Sequence, residues 1–216
     1  NALAKSLSRL SSGSKIIAPS DDAAGLAVSS RLESQLKRLD AAINNVTNAI
    51  SFTQTQDGFL KTIDKAFRRM AELAMFAQDN TKSADDLLLY NQEFAQLQEY
   101  ITESSHQTFN SVSLFSSSAL DVTIDSDGNS FQMPGIDLAA ADITDSLAGT
   151  VDITSVTNAQ SALGLIKTSI DTLAQNRASL GAVQSRLNFT NEQLTITKEN
   201  LSAAISRISE IGRPHV

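Results

Sequence analysis

Residues 163–208 read LGLIKTSIDTLAQNRASLGAVQSRLNFTNEQLTITKENLSAAISRI. Ile166, Leu173, Leu180, Leu187, Leu194, Leu201 and Ile208 recur in them at strict seven-residue intervals. No proline interrupts the run. A seven-residue apolar repeat fits a helix underwound to about 3.5 residues per turn, which keeps one seam against a partner helix. The companion seam position reads Leu163, Ile170, Arg177, Gln184, Asn191, Lys198 and Ile205, polar in its middle. Polar seam residues weaken packing but fix register. A helix with such a stripe cannot bury it alone, so the rest of the chain should supply the partner.

The first half of the chain carries a matching pattern. Leu32, Leu36, Leu39, Ile43, Val46 and Ile50 step by four and three. After two polar seam positions, Thr53 and Asp57, the series resumes with Leu60, Ile63, Phe67, Met70, Ala74 and Ala77. A helix of about 55 residues rising 1.5 Å per residue would be about 80 Å long. Gly58 is the weakest point of that helix and a candidate kink. Upstream, residues 1 to about 11 read as a helix, with Leu3, Leu7 and Leu10 at helical spacing, and Ser11-Ser12-Gly13-Ser14 breaks it. Pro19-Ser20-Asp21-Asp22 marks a new helix start, with Ser20 as cap and two carboxylates at the positive end of the dipole. Downstream, Asp79 to Ser83 is a turn, followed by a return helix with Leu87, Tyr90, Phe94, Leu97 and Ile101 on one face.

Residues 105–118 are serine-rich and read as irregular. The period then drops to two: Leu120, Val122 and Ile124 alternate with polar residues, as do Phe131 and Met133 after Asp127-Gly128. That is a β-hairpin signal. Residues 137–154 are ambiguous. The expected fold is mainly α: an elongated, antiparallel bundle of long, coiled-coil-like helices with a small β-hairpin region.

Composition narrows the function. The 216 residues are 41% hydrophobic, contain no Trp or Cys, and carry a formal net charge of −7. Absence of cysteine excludes disulfides, thiolate metal sites and cysteine nucleophiles. An acidic chain lacks the clustered cations that nucleic acids or anionic membranes require. No apolar run is long enough to span a bilayer. No secretory signal stands at Asn1, and helical spacing is already under way there, so the chain reads as trimmed at its start.

Chemical motifs are weak. His106 and His215 are the only histidines, without a catalytic or metal-binding neighbour at motif spacing. Asp125, Asp127 and Asn129 resemble part of a calcium loop, but Ile136 stands where the closing Glu belongs, so a hairpin turn is the better reading. Three Asn-x-Ser/Thr matches, at Asn45, Asn188 and Asn200, fall inside long helices, and Ser116–Ser118 is a more natural O-glycan stretch or an ordinary loop. These readings leave a structural subunit, or a coiled-coil adaptor using the same seams, as the functional classes; nothing favours an enzyme.

Two ordered blocks identify a resemblance. Leu10-Ser11-Ser12-Gly13-Ser14-Lys15-Ile16, followed by Asp21-Asp22-Ala23-Ala24-Gly25-Leu26-Ala27, resembles the N-terminal flagellin signature. Leu180-Gly181-Ala182-Val183-Gln184-Ser185-Arg186-Leu187, then Asn200-Leu201-Ser202-Ala203-Ala204 and Ser206-Arg207-Ile208, resembles its C-terminal counterpart. Glu72-Leu73-Ala74 and Phe109-Asn110-Ser111-Val112 match blocks between them. Ile17 departs from the family, and Pro19-Ser20-Asp21-Asp22 is similar to the hook–filament junction protein, the runner-up within the class.

The resemblance to bacterial flagellin implies the following organisation. Residues 1–20 are the end of an inner-tube helix and a connecting loop. Residues 21–104 are the long N-terminal helix and return helix of a core rod, 105–155 a loop and β-hairpin region, and 156–211 the long C-terminal helix of the rod. Residues 212–216 are a tail or an appended remnant. The terminal helices that build the inner tube would be largely absent, leaving this chain a monomer in solution. The resemblance implies a secreted protein of the extracellular flagellum, with other flagellin subunits, an export chaperone and the filament cap as partners, and no cofactor. It also maps a contact with the innate receptor Toll-like receptor 5 onto Arg69, Leu73 and Glu93, weakened by Ala71 and Phe76, which depart from the family block. The helix-packing seam, Leu173, Leu180, Leu187, Leu194, Leu201 and Ile208, completes the candidate residues.

Overall fold

The computed structural model describes residues 2–210, with side chains from residue 6. The side chain of Leu3, the helix stop at Gly212-Arg213-Pro214, His215 and the tail lie outside the described residues. The elements are α1 (Ala2–Ser12), α2 (Ala23–Phe76), α3 (Ala84–Ser105), β1 (Thr108–Phe109), β2 (Val112–Ser113), β3 (Leu120–Thr123), β4 (Ser130–Met133), α4 (Ala141–Leu147) and α5 (Val156–Ser209). Both α2 and α5 are 54 residues long. Helix α2 runs unbroken through Gly58.

The chain divides into two compact units. The first takes residues up to Asn48, Val122–Phe131, and residues from Leu187 on; the second takes Ala49–Asp121 and Gln132–Arg186. Each unit thus contains a segment of α2 and a segment of α5.

In the second unit, α2 contributes buried Thr53, Gln56, Leu60, Ile63, Phe67, Met70 and Ala74, and the turn after it adds buried Ala77. Helix α5 contributes buried Ala159, Ala162, Ile166, Ser169, Leu173, Leu180 and Val183. Both sets step by three and four, apart from one step of seven between Leu173 and Leu180, which is the heptad geometry of a coiled seam. Helix α3 adds Phe94, Gln98, Ile101 and Ser104. Arg177 Nε meets Asp57 Oδ1 at 3.1 Å. The α2 residues 52–56 and the α5 residues 179–183 line one cavity, so the two helices run antiparallel there. In the first unit, Leu39, Ala42 and Val46 of α2 and Leu187 and Leu194 of α5 are buried.

The companion seam positions differ from expectation. In α2 the buried residues are Ala42, Ala49 and Gln56, whereas Ile43, Ile50 and Asp57 are only partly buried. In α5 they are Ala162, Ser169 and Val183, whereas Leu163, Ile170 and Gln184 are partly exposed. The seam is therefore a continuous heptad series from Leu39 to Ala77, with no slip near Asp57. The physical reason is close approach. A small side chain fits between two helix axes, and the larger neighbour one residue on turns by about 100° and covers the flank.

Local signals set the ends. Helix α2 is capped by Asp22, not Ser20: Asp22 Oδ1 accepts from Gly25 N at 2.8 Å, while Ser20 lies in the preceding turn. A Cβ at Gly25 would sit 2.5 Å from Asp22 Oδ2, so glycine makes room for the capping carboxylate. Asp21 instead accepts from the amides of Ile17 and Ala18. Helix α3 opens with a reciprocal capping box between Ser83 and Asp86.

The stretch 105–118 is more regular than its composition suggests. Strands β1 and β2 pair antiparallel, Phe109 opposite Val112, around Asn110 (φ 49°) and Ser111 (φ 63°). Two successive positive-φ residues match the twist of a tight hairpin, and Asn tolerates that conformation. Strands β3 and β4 pair across the Asp125–Gly128 turn, as the period of two implied. Residues 141–147 form α4, held by Gln98, whose Nε2 donates to the carbonyls of Ser146, Ala148 and Val151.

Candidate functional site

The expected seam residues fall in both units. Leu173 and Leu180 are buried in the second unit, and Leu187 and Leu194 in the first. Leu201 and Ile208, also in the first unit, are partly exposed. Two charged seam residues of α5 find partners on α2: Arg177 meets Asp57, and Lys198 Nζ meets Asp40 Oδ1 at 2.8 Å. Burial alone would raise the Asp57 carboxyl, but hydrogen bonds from Lys61 and Arg177 outweigh it and hold it below the usual carboxylate value. Asp57 thus stays ionised on the partly exposed flank of the seam.

The face of α5 opposite the seam is apolar in places. Phe189 is 71% exposed and Ile196 is 59% exposed. Each stands two residues after a buried seam leucine, Leu187 and Leu194 respectively, hence about 200° around the helix. Composition alone could not separate these residues from core, but their phase against the heptad does.

Arg69, Leu73 and Glu93 come together on α2 and α3 of the second unit. The Arg69 guanidinium forks onto Glu93, Nε to Oε1 at 2.6 Å and Nη2 to Oε2 at 3.0 Å. A planar guanidinium matches a carboxylate in this two-pronged way, where a lysine could not. Arg69 Nη1 also donates to Glu72 Oε2 at 3.0 Å. The Glu93 hydrogen bond, then the one from Glu72, keeps Arg69 firmly protonated, and Arg69 holds Glu93 below its ordinary value. Leu73 is fully buried, so what the trio presents at the surface is the two charges.

A neighbouring feature was not anticipated from sequence. The rings of Phe76 and Tyr90 meet with centroids 5.9 Å apart, and Phe76 is exposed. The signal was present in the spacing, since 69, 72 and 76 lie along one helical face, as do 90 and 93 on α3.

Other motifs turn inward on their own backbone. Asp125 Oδ1 accepts from the amides of Asp127 and Asn129, and its carboxylate also takes Asn129 Nδ2, which closes the β3–β4 turn. His106 caps the end of α3 and is exposed. Asn45, Asn188 and Asn200 are exposed helical positions. Among the described residues, no group of three or more His, Cys, Asp or Glu is placed to hold a metal ion, and no helix is long and apolar enough to cross a membrane.

Comparison with known proteins agrees with the signatures at both ends. The bacterial flagellin N-terminal helical region matches residues 1–119, and the bacterial flagellin C-terminal helical region matches residues 163–212. A flagellin of Halalkalibacterium halodurans is 36% identical over 210 residues, covering 96% of this chain and 77% of that protein. The flagellin of Bacillus subtilis is 30% identical over 251 residues, covering 98% of this chain and 81% of that one. The crystal structure of Bacillus cereus flagellin superposes with a TM-score of 0.62 at 23% identity, covering 75% of this chain and 94% of that chain. A flagellar hook-associated protein of Vibrio parahaemolyticus superposes with a TM-score of 0.74 over 88% of this chain and 100% of that one. At 12% identity that likeness shows a shared fold and no more. With both helical regions matched and relatives aligned over nearly its whole length, this chain belongs to the bacterial flagellin family and is a structural subunit of the flagellar filament.

Proposed function

We propose that the chain divides its work between an inward seam and an outward face of the same helix. Leu173, Leu180, Leu187, Leu194, Leu201 and Ile208 hold α2 and α5 segments together within each unit. Phe189 and Ile196 meet other copies of flagellin in the filament. The observation that carries this reading is the burial contrast on α5: Leu187 is 0% exposed while Phe189, two residues on, is 71% exposed. Scattered exposed apolar residues are ordinary; a pair one heptad apart, opposite a buried seam, is a stripe that a packed neighbour can cover. In this reading residues 21–104 and 156–211 form the structural core, 105–155 the loop and hairpin region, and the export chaperone and filament cap handle the chain before it is built in. It has no catalytic task.

The test uses cells whose sole flagellin carries this chain between the terminal helices that build the inner tube. Phe189→Ser with Ile196→Ser should leave the isolated protein's melting temperature unchanged and shorten or abolish filaments seen by electron microscopy. Normal filaments from this double variant would remove the outward face from the assembly.

Contact with Toll-like receptor 5 is a second reading, supported by the Arg69–Glu93 fork exposed on α2 and α3. With Leu73 buried, recognition would rest on the two charges, which makes the contact weaker than one with an apolar anchor. Titration against the receptor ectodomain should show weak binding that Arg69→Ala and Glu93→Ala each reduce. Binding that neither substitution changes would place the receptor elsewhere.

A further inference from the structure

We propose that the second unit holds a binding site for a small, neutral, apolar molecule of about one aromatic ring. The site is a half-enclosed cavity of about 130 Å³ among α2, α5 and the two hairpins. Its walls include Phe52, Leu114, Leu120, Met133, Ile136 and Leu180. An engineered cavity of roughly 150 Å³ lined by Leu, Ile and Phe stays dry and takes up benzene, so the size and lining suit one ring.

Four of the six polar side chains at the wall are already hydrogen-bonded within the protein; the other two are Ser118 and Ser179. Thr53 Oγ1 donates to Ile50 O at 2.9 Å, and Gln56 Nε2 donates to Leu114 O at 2.6 Å. Ser113 Oγ donates to Phe115 O at 3.0 Å, and Ser116 Oγ accepts from Ser118 N at 3.1 Å. An enclosed water needs two to four polar partners, and these groups are already engaged. A ring entering the cavity therefore displaces little that is held well. No charged side chain lines the wall, so an ionised guest would lose its hydration without compensation.

The wall is set by the fold rather than by loose side chains. Ser116 and Ile136 form a β-bridge, and Gly135 lies so close to the backbone of Ser116 and Ser117 that a Cβ there would collide. Met133 is the adaptable part, since an unbranched thioether fits irregular space and contacts rings favourably.

The experiment follows the methyl signals of the full chain labelled with ¹³C-methyl methionine. There are three methionines, Met70, Met75 and Met133, and Met133→Leu assigns the reporter. Toluene should shift the Met133 signal saturably, with a dissociation constant on the order of 0.1–1 mM, and leave exposed Met75 unmoved. It should also raise the melting temperature by about 1–3 °C. Benzoate, equal in ring size but charged, should do neither. Val183→Phe fills the cavity and Ser179→Leu narrows its mouth; each should weaken toluene binding at least tenfold. Ser179 is exposed on α5, so its variant decides the matter if Val183→Phe does not fold. An unmoved Met133 signal, an equal response to benzoate, or toluene affinity unchanged by Ser179→Leu would each overturn the site.

Discussion

The same two helices are used differently in the two units. In the second unit every seam position of α2 from Thr53 to Ala74 is buried, along with Leu173, Leu180 and Val183 of α5. In the first unit burial fades: Leu39, Val46, Leu187 and Leu194 are enclosed, but Leu32, Leu36, Leu201 and Ile208 are partly exposed. The reason lies in what else each unit contains. The second adds α3, α4 and the β1–β2 hairpin, whose side chains close over the seam. The first adds α1 and the tip of the β3–β4 hairpin, which reaches α2 through Arg38 Nε to Ser126 O at 2.8 Å. Two helices alone cover only part of each other. A heptad repeat therefore says which face turns inward, not how deeply it is buried.

The sharpest way to break that comparison is to put one charge at equivalent seam positions. Leu173 is 0% exposed and Leu194 is 6% exposed. An unpaired carboxylate at Leu173 cannot reach water, and Leu173→Asp should cost about 4–5 kcal/mol in urea unfolding. Leu194→Asp should cost about 3 kcal/mol, because its carboxylate can lean toward solvent. Equal costs would mean that the units enclose their seams equally. A step below these lies Gln98→Leu, confined to the second unit. It strands carbonyls of Ser146, Ala148 and Val151 that Gln98 now serves, at a cost of about 1–3 kcal/mol. Amide exchange should quicken around α4 while the first unit keeps its protection; unchanged exchange at α4 would show that water replaces the amide.

Much of this was legible in the sequence because a long helix writes its period many times over. Leu173, Leu180, Leu187 and Leu194 stand where a seven-residue count puts them. Ala42, Ala49, Ala162 and Ser169 were passed over for the larger Ile43, Ile50, Leu163 and Ile170, since hydrophobicity rewards size while close helix approach rewards its absence. The β1–β2 turn was hidden because Asn110-Ser111 lacks the glycine that usually marks such hairpins. Arg69 and Glu93 could be placed on one surface by spacing, but the burial of Leu73 depends on tertiary contacts that spacing does not contain.

Caps offer a smaller test, on the first unit. Asp22→Ala removes the acceptor for Gly25 N and should cost about 1 kcal/mol, while Ser20→Ala should fall within about 0.5 kcal/mol of no effect. The reverse order in thermal unfolding would return the cap to Ser20.

The smallest expected effect is on acid response. Asp57, Asp79, Asp86, Glu93 and Asp152 in the second unit, and Asp125 in the first, are held below their ordinary values. A carboxyl with a lower folded than unfolded value binds more protons when unfolded, so stability rises with pH across that interval. The contribution is complete above the unfolded value, 3.8 for Asp57, and is lost as pH falls through the lower folded value. Most of these groups face solvent, so each effect is small and screened by salt. Asp57 is the informative one, because Lys61 at 2.6 Å and Arg177 at 3.1 Å bind its charged form. Asp57→Asn should therefore unfold at lower urea than the parent at pH 7. The two should converge as pH falls below 3.8 and through the lower folded value, where the parent carboxyl becomes neutral too. A gap that stays constant as pH falls from 7 until the folded parent's carboxyl is neutral would mean that Asp57 contributes shape rather than charge, and that its ion pairs are no acid-sensitive feature of the second unit.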